Sequence, residues 1–139
     1  MAAYESGHMQ RRVRRILIAE DDPDIVDVLR QTLAERLDVQ TDAVANGALV
    51  MDSVSAHRPD LLILDVALPG LNGLDVFDLL RSDPHWQGVP VLFLTGLPEQ
   101  AETANAATGV HEILAKPFDI NDLIARAARL MGAEAGLAA

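Results

Sequence analysis

The chain has 139 residues, 50% of them apolar and 23% charged, which suits one compact domain with a real core. Twenty-one acids against eleven Lys and Arg leave a formal net charge of −10, which argues against wrapping nucleic acid. No cysteine is present, so disulfides, thiolate chemistry and cysteine-ligated zinc are excluded.

Residues 1–13 read as a tag or flexible lead-in. Ser6-Gly7-His8-Met9 looks like a cloning scar, and Arg11-Arg12-Val13-Arg14-Arg15 reads as a solvated approach to the first strand. The N-terminus lacks the apolar core of a secretory signal, and no apolar run approaches the roughly 18 residues of a membrane span. The expectation is a cytoplasmic protein with no membrane contact. Residues 14–131 form the domain, and the small, weakly polar stretch 132–139 is a flexible tail or the start of a linker.

Within the domain, apolar runs of strand length alternate with helical patterns. Arg15–Ala19 is apolar without alternation and reads as a strand buried on both faces. Asp22-Pro23 then predicts a helix N-cap with proline at the first position, and Ile25, Val28, Leu29 and Leu33 carry helical spacing to about Leu37. Val39–Val44 is a more polar strand suited to a sheet edge. Asn46-Gly47 opens a second helix to about Ala56. Leu61–Asp65 is the strongest strand, followed by the loop Leu68-Pro69-Gly70-Leu71-Asn72-Gly73 and a third helix, Leu74–Arg81, with Leu74, Phe77 and Leu80 inward. Val89–Thr95 and Glu112–Ala115 are the last strands. Asp119 caps a final helix, with Asp122 three residues on as in a capping box. Between those two strands, Pro98 to Thr108 offers only alanines 101, 104, 106 and 107 as an apolar face, and Leu97 cannot cap. Alanine methyls bury little area, so the fourth helix is expected to be short or mobile. Five β-α units in series imply a doubly wound parallel α/β sheet with helices on both faces.

The chemistry sits at strand ends. Glu20 and Asp21 follow the first strand, Asp65 closes the third, Thr95 closes the fourth, and Lys116, the single lysine of the chain, follows the fifth. In strand order 2-1-3-4-5 these strands are adjacent, so the five side chains can converge where open parallel sheets bind ligands. Three crowded carboxylates call for raised pKa values or a cation, and oxygen-only donors favour Mg²⁺. A compact ammonium suits a phosphoryl group, and an aspartate acceptor yields an acyl phosphate. The histidines 8, 57, 85 and 111 lack metal-ligand spacing and read as surface residues. Trp86 reads as a packing plug. No glycine-rich nucleotide-binding motif is present.

Ile16-Leu17-Ile18-Ala19-Glu20-Asp21-Asp22-Pro23, Leu64-Asp65, Leu68-Pro69-Gly70, Gly73, Phe93-Leu94-Thr95-Gly96 and Lys116-Pro117-Phe118 together resemble the receiver domain of two-component response regulators, over roughly residues 14–131. The resemblance implies a flavodoxin-like fold of five strands and five helices. It also implies a phosphorylatable signalling switch, not a metabolic enzyme. Asp65 is then the phosphoacceptor, with Mg²⁺ on Glu20, Asp21, Asp65 and the Ala67 carbonyl, and with Thr95 and Lys116 on the phosphoryl group. The donor is a phosphohistidine of a sensor histidine kinase or a histidine phosphotransfer protein, docking near Ile25, Val28 and Thr32. Two departures set this chain in an atypical Thr-Gly subgroup. Ile113 stands where the family's switch aromatic is usual, and Gly96 follows Thr95. The switch is therefore expected in Thr95, Gly96 and Ile113, by ordering of the segment after Gly96 instead of ring rotation. A haloacid dehalogenase-type phosphatase is disfavoured because Ala67 stands where such enzymes place an acid. An interaction-only pseudo-receiver is disfavoured because the five site side chains are intact. No output domain is evident, so the expected output is partner binding, alone or as a piece of a longer chain.

Overall fold

The computed structural model describes residues 13–104 and 110–132. Its strands are β1 (Arg15–Ala19), β2 (Gln40–Val44), β3 (Leu61–Leu64), β4 (Val91–Thr95) and β5 (His111–Ala115). All neighbours pair parallel, in the order β2-β1-β3-β4-β5. Uninterrupted apolar runs became the central strands: β3 and β4 are buried throughout, and β1 beyond its first residue. The polar β2 and the mixed β5 are the edges, as helices on both faces leave polar side chains only marginal places.

The helices are α1 (Pro23–Leu37), α2 (Val50–Ala56), α3 (Gly73–Ser82), α4 (Pro98–Ala101) and α5 (Ile120–Leu130), with a 3-10 turn at Gly47–Leu49 before α2. Side-chain alternation along the strands splits the core in two. Leu17, Leu62, Leu64 and Phe93 pack with Val50, Val54, Val76, Phe77 and Leu80 of α2 and α3. Ile16, Ile18, Ile63 and Leu92 pack with Leu29 and Leu33 of α1 and Leu123 and Ala127 of α5. Asp22 caps α1 by accepting from the Asp24 amide at 2.9 Å, and Asp119 caps α5 through the Asn121 and Asp122 amides.

Several sequence expectations need adjustment. The second helix begins as the 3-10 turn, with Asn46 accepting from the Ala48 amide at 2.7 Å, because the chain there is held against a neighbouring loop. The third helix starts earlier, at Gly73, because Asn72 supplies an N-cap to the Asp75 amide. The strand expected from Val89 begins at Val91, since Pro90 has no amide to donate. The fourth helix is short, four residues with no side-chain cap at Leu97; Ala101 is buried and Ala104 packs beside it. Ala106, Ala107 and His8 lie outside the described residues, as do 1–12 and 133–139. Trp86 does pack against the core, with the Arg58 guanidinium 5.8 Å from its ring centre.

His111 is not the surface residue its isolation in the sequence implied. Its ring lies 5.3 Å from Phe77 and 5.9 Å from Phe93, both edge-on. Beside it, Arg81 lies 4.5 Å above the Phe77 ring and donates to the carbonyls of Gln87, Val89 and Val110. The guanidinium thereby ties the start of β4 to the start of β5.

Two outcomes follow from this packing. Phe77 is fully buried, so Phe77→Ala should lose about 3–5 kcal/mol in denaturant unfolding. Burial, and then the Arg81 charge, hold the His111 pKa below its usual 6.5. A depressed histidine stabilises above its unfolded pKa, and that contribution is lost as pH falls through the folded value. The thermal midpoint should therefore drop from pH 6.5 downward more steeply in wild type than in His111→Phe.

Candidate functional site

Each of the four strand ends delivers its side chain to one edge of the sheet. Glu20 follows β1, Asp65 follows β3, Thr95 ends β4 and Lys116 follows β5. Neighbouring strands fix their backbone: the Asp65 amide donates to Ala19 O at 3.0 Å, and the Lys116 amide to Thr95 O at 2.9 Å. The Lys116–Pro117 bond is cis. Glu20, Asp65 and Thr95 are buried, Asp21 is exposed, and Lys116 is between. Carboxylate oxygens of Glu20, Asp21 and Asp65 all lie within 4.8 Å of one another. The Lys116 ammonium sits 2.7 Å from Glu20 Oε1 and 2.9 Å from Asp65 Oδ2. Asp65 Oδ2 accepts a hydrogen bond from the ammonium, and Glu20 Oε1 forms an ion pair with it.

Backbone donors complete the arrangement. The Asp22 amide donates to Glu20 Oε2 and the Ala67 amide to Asp65 Oδ1, both at 3.0 Å. Thr95 Oγ1 accepts from the Leu97 amide at 2.9 Å, so the hydroxyl proton can be directed elsewhere. Burial pushes the Glu20 carboxyl above its usual pKa, and the Asp65 charge adds to this, against the opposing pull of Lys116 and the Asp22 amide. Burial works against the Lys116 ammonium, but hydrogen bonds and charge from Glu20 and Asp65 outweigh it and raise its pKa. The lysine is therefore a fixed positive charge.

The response regulator receiver domain family matches residues 16–128. The chain belongs to that family. The DNA-binding response regulator MtrA of Mycolicibacterium smegmatis is 37% identical over 115 residues, 81% of this chain and 48% of that protein. The DNA-binding dual master transcriptional regulator RpaA of Synechocystis is 36% identical over 121 residues, 84% of this chain and 48% of that protein. This receiver chain thus spans about half the length of these curated relatives. Among solved structures, a sensor protein from Polaromonas superposes with a TM-score of 0.75 at 28% identity, covering 86% of this chain and 96% of that one. The receiver domain of sensor histidine kinase PA1611 from Pseudomonas aeruginosa, solved with a magnesium ion in its active site cleft, gives 0.73 at 28%, covering 87% and 99%.

The sequence-derived site residues Glu20, Asp21, Asp65 and Lys116 come together in this receiver. Ala67 joins them through its amide and is exposed. Gly96 is open, with no atom within 4 Å of an added methyl, and Ile113 is half-buried against the α2–α3 side of the core. On α1, Val28 is 50% exposed, Ile25 packs partly into the core and Thr32 is half-exposed, so the three do not make an equal face. Two glycines have a packing role that the sequence reading did not assign them. An added Cβ on Gly73 would stand 2.2 Å from the Asp65 carbonyl oxygen, and one on Gly47 1.7 Å from Leu71 O. A glycine in a connection is the one signal the sequence offers of such close approach, and the partner it meets is long-range.

A carboxyl with a raised folded pKa favours the fold below its unfolded pKa and loses that contribution as pH rises through the folded value. Above that folded value the buried Glu20 carboxylate is therefore a burden on the metal-free protein. Glu20→Gln should raise the metal-free thermal midpoint at pH 7 and shrink the gain produced by added Mg²⁺. Scanning calorimetry with and without Mg²⁺ measures both.

Proposed function

We propose that this chain is a phosphoacceptor switch of a two-component phosphorelay, with Asp65 taking a phosphoryl group from phosphohistidine on a sensor histidine kinase or histidine phosphotransfer protein. The observation that carries the reading is Lys116, bound at 2.9 Å to the one buried aspartate of an acid cluster at the sheet's carboxyl edge. The receiver unit is taken as residues 14–131, in line with the family match over 16–128.

Glu20, Asp21, Asp65 and the Ala67 carbonyl are the proposed Mg²⁺ ligands. The donor set suits a small hard cation: three carboxylates within 4.8 Å, one of them exposed, and a buried Glu20 whose charge Lys116 does not fully offset. When bound, the ion supplies charge neutralisation of the phosphoryl oxygens. Everything else falls to the chain. An Asp65 carboxylate oxygen attacks phosphorus, and as that P–O bond forms the P–N bond to the donor imidazole breaks, its electron pair staying on nitrogen. The ring leaves neutral when its other nitrogen carries a proton. Lys116 is placed to follow the transferred group, and the Thr95 hydroxyl is placed to donate to it.

Output then lies in Thr95, Gly96 and Ile113. The four-residue α4 without a side-chain cap, the open position at Gly96 and the aliphatic Ile113 support a switch that orders the segment after Gly96. MtrA and RpaA are by name DNA-binding, and at net charge −10 this chain is a poor surface for a phosphate backbone. Nucleic-acid contact would draw on residues beyond it. No helix among the described residues is long and apolar enough to cross a membrane.

Incubation with a small acyl or amido phosphate and Mg²⁺, followed by intact mass, should show one phosphoryl group on wild type and none on Asp65→Ala. Absence of the adduct on wild type would leave the interaction-only reading. In the phosphorylated protein, amide exchange after Gly96 should slow; identical exchange in both forms sinks the ordering switch.

A further inference from the structure

The loop between β3 and α3 is not held by its own hydrogen bonds alone. Within it, Gly73 N donates to Val66 O at 2.8 Å and Leu71 N to Pro69 O at 3.0 Å. From outside, the turn after β2 presses on it. Gly47 N donates to Pro69 O at 2.9 Å, so the Pro69 carbonyl accepts from both loops. Gly47 is buried, and a Cβ there would stand 1.7 Å from Leu71 O, a separation that backbone movement alone can relieve. Asn46 closes the second half of the contact. Gly70 has φ +81°, and its missing Cβ would stand 2.0 Å from Asn46 Oδ1. The same turn is anchored at its other end, since Val44 O accepts the Glu20 amide at 3.0 Å.

One short segment thus meets the backbone on both sides of the acid cluster: the Glu20 amide through Val44, and the Pro69–Leu71 stretch of the loop that begins with Asp65 through Asn46 and Gly47. We propose that the Val44–Gly47 turn is a positioning element for divalent cation binding, setting the spacing between Glu20–Asp21 and the loop that carries Asp65 and Ala67. Asn46 and Gly47 hold no ligand and no reacting group; they act by fixing where the ligands stand. Outer groups that orient metal ligands typically contribute about 10–100-fold in affinity. The inference rests on the Mg²⁺ reading of the cluster.

The test is calorimetric titration of the full chain with MgCl₂ alone, on wild type, Gly47→Ala, Asn46→Ala and Gly88→Ala. Gly88 lies in the α3–β4 loop, where an added methyl makes only an ordinary 3.6 Å contact with Arg58. The expected result is Mg²⁺ affinity lowered about ten-fold by Gly47→Ala, less by Asn46→Ala, and unchanged by Gly88→Ala. With a small phosphodonor, Gly47→Ala should need more Mg²⁺ for half-maximal rate and recover the wild-type maximum at saturation. If Gly47→Ala does not fold, Asn46→Ala decides: weakened Mg²⁺ binding with an unchanged metal-free circular dichroism spectrum supports the brace. Wild-type affinity in the folded variants, even with lower thermal midpoints, overturns it and leaves the turn a structural contact. A wild type that binds no Mg²⁺ overturns the cation site itself.

Discussion

Like charges gathered at the carboxyl edge of a parallel sheet are the constraint on which this molecule turns. Glu20, Asp21 and Asp65 stand close enough to repel, and two of them are buried where water screens little. A single ammonium lies between the buried pair, and two backbone amides, of Asp22 and Ala67, take the remaining oxygens. The compensation is incomplete, because Glu20 still holds its proton more tightly than in water. The edge is left short of positive charge on its exposed side, where Asp21 meets solvent.

The fold serves this edge. Five parallel strands put their carboxyl ends in one row, and connections of different stiffness leave those ends. The β1–α1 connection is capped by Asp22, and the β3–α3 loop is braced by the turn after β2. The β4–α4 connection has an exposed glycine, an uncapped four-residue helix and little apolar area to anchor it. Firmly held and loosely held connections thus leave the same edge of the sheet.

How much of this could be read from the sequence depended on the range of the interaction. Unalternating runs such as Leu61–Leu64 can only be strands buried on both faces, and an acid or a lysine just past such a run is conspicuous. The residues that meet at this edge and the strand order were therefore legible. The shortness of the fourth helix was legible too, from its alanines and from Leu97. What sequence hides is who meets whom across the chain. Nothing near His111 indicates that the rings of Phe77 and Phe93 flank it, and nothing near Arg81 names the three carbonyls it binds. Gly47 carries no mark of its neighbour Leu71, because the close approach exists only once two loops from different crossovers are docked.

Arg81 has a consequence for how a disturbance would spread. Its guanidinium staples the leading ends of β4 and β5 together, at the opposite end of these strands from Thr95 and Lys116. The same two strands are also joined along their length as far as Thr95 opposite Ala115, and beyond it by the Lys116 amide on the Thr95 carbonyl. Tied at both ends, they form one plank, and the give in this corner of the molecule lies in the connections that leave it, the least anchored being the one after Thr95.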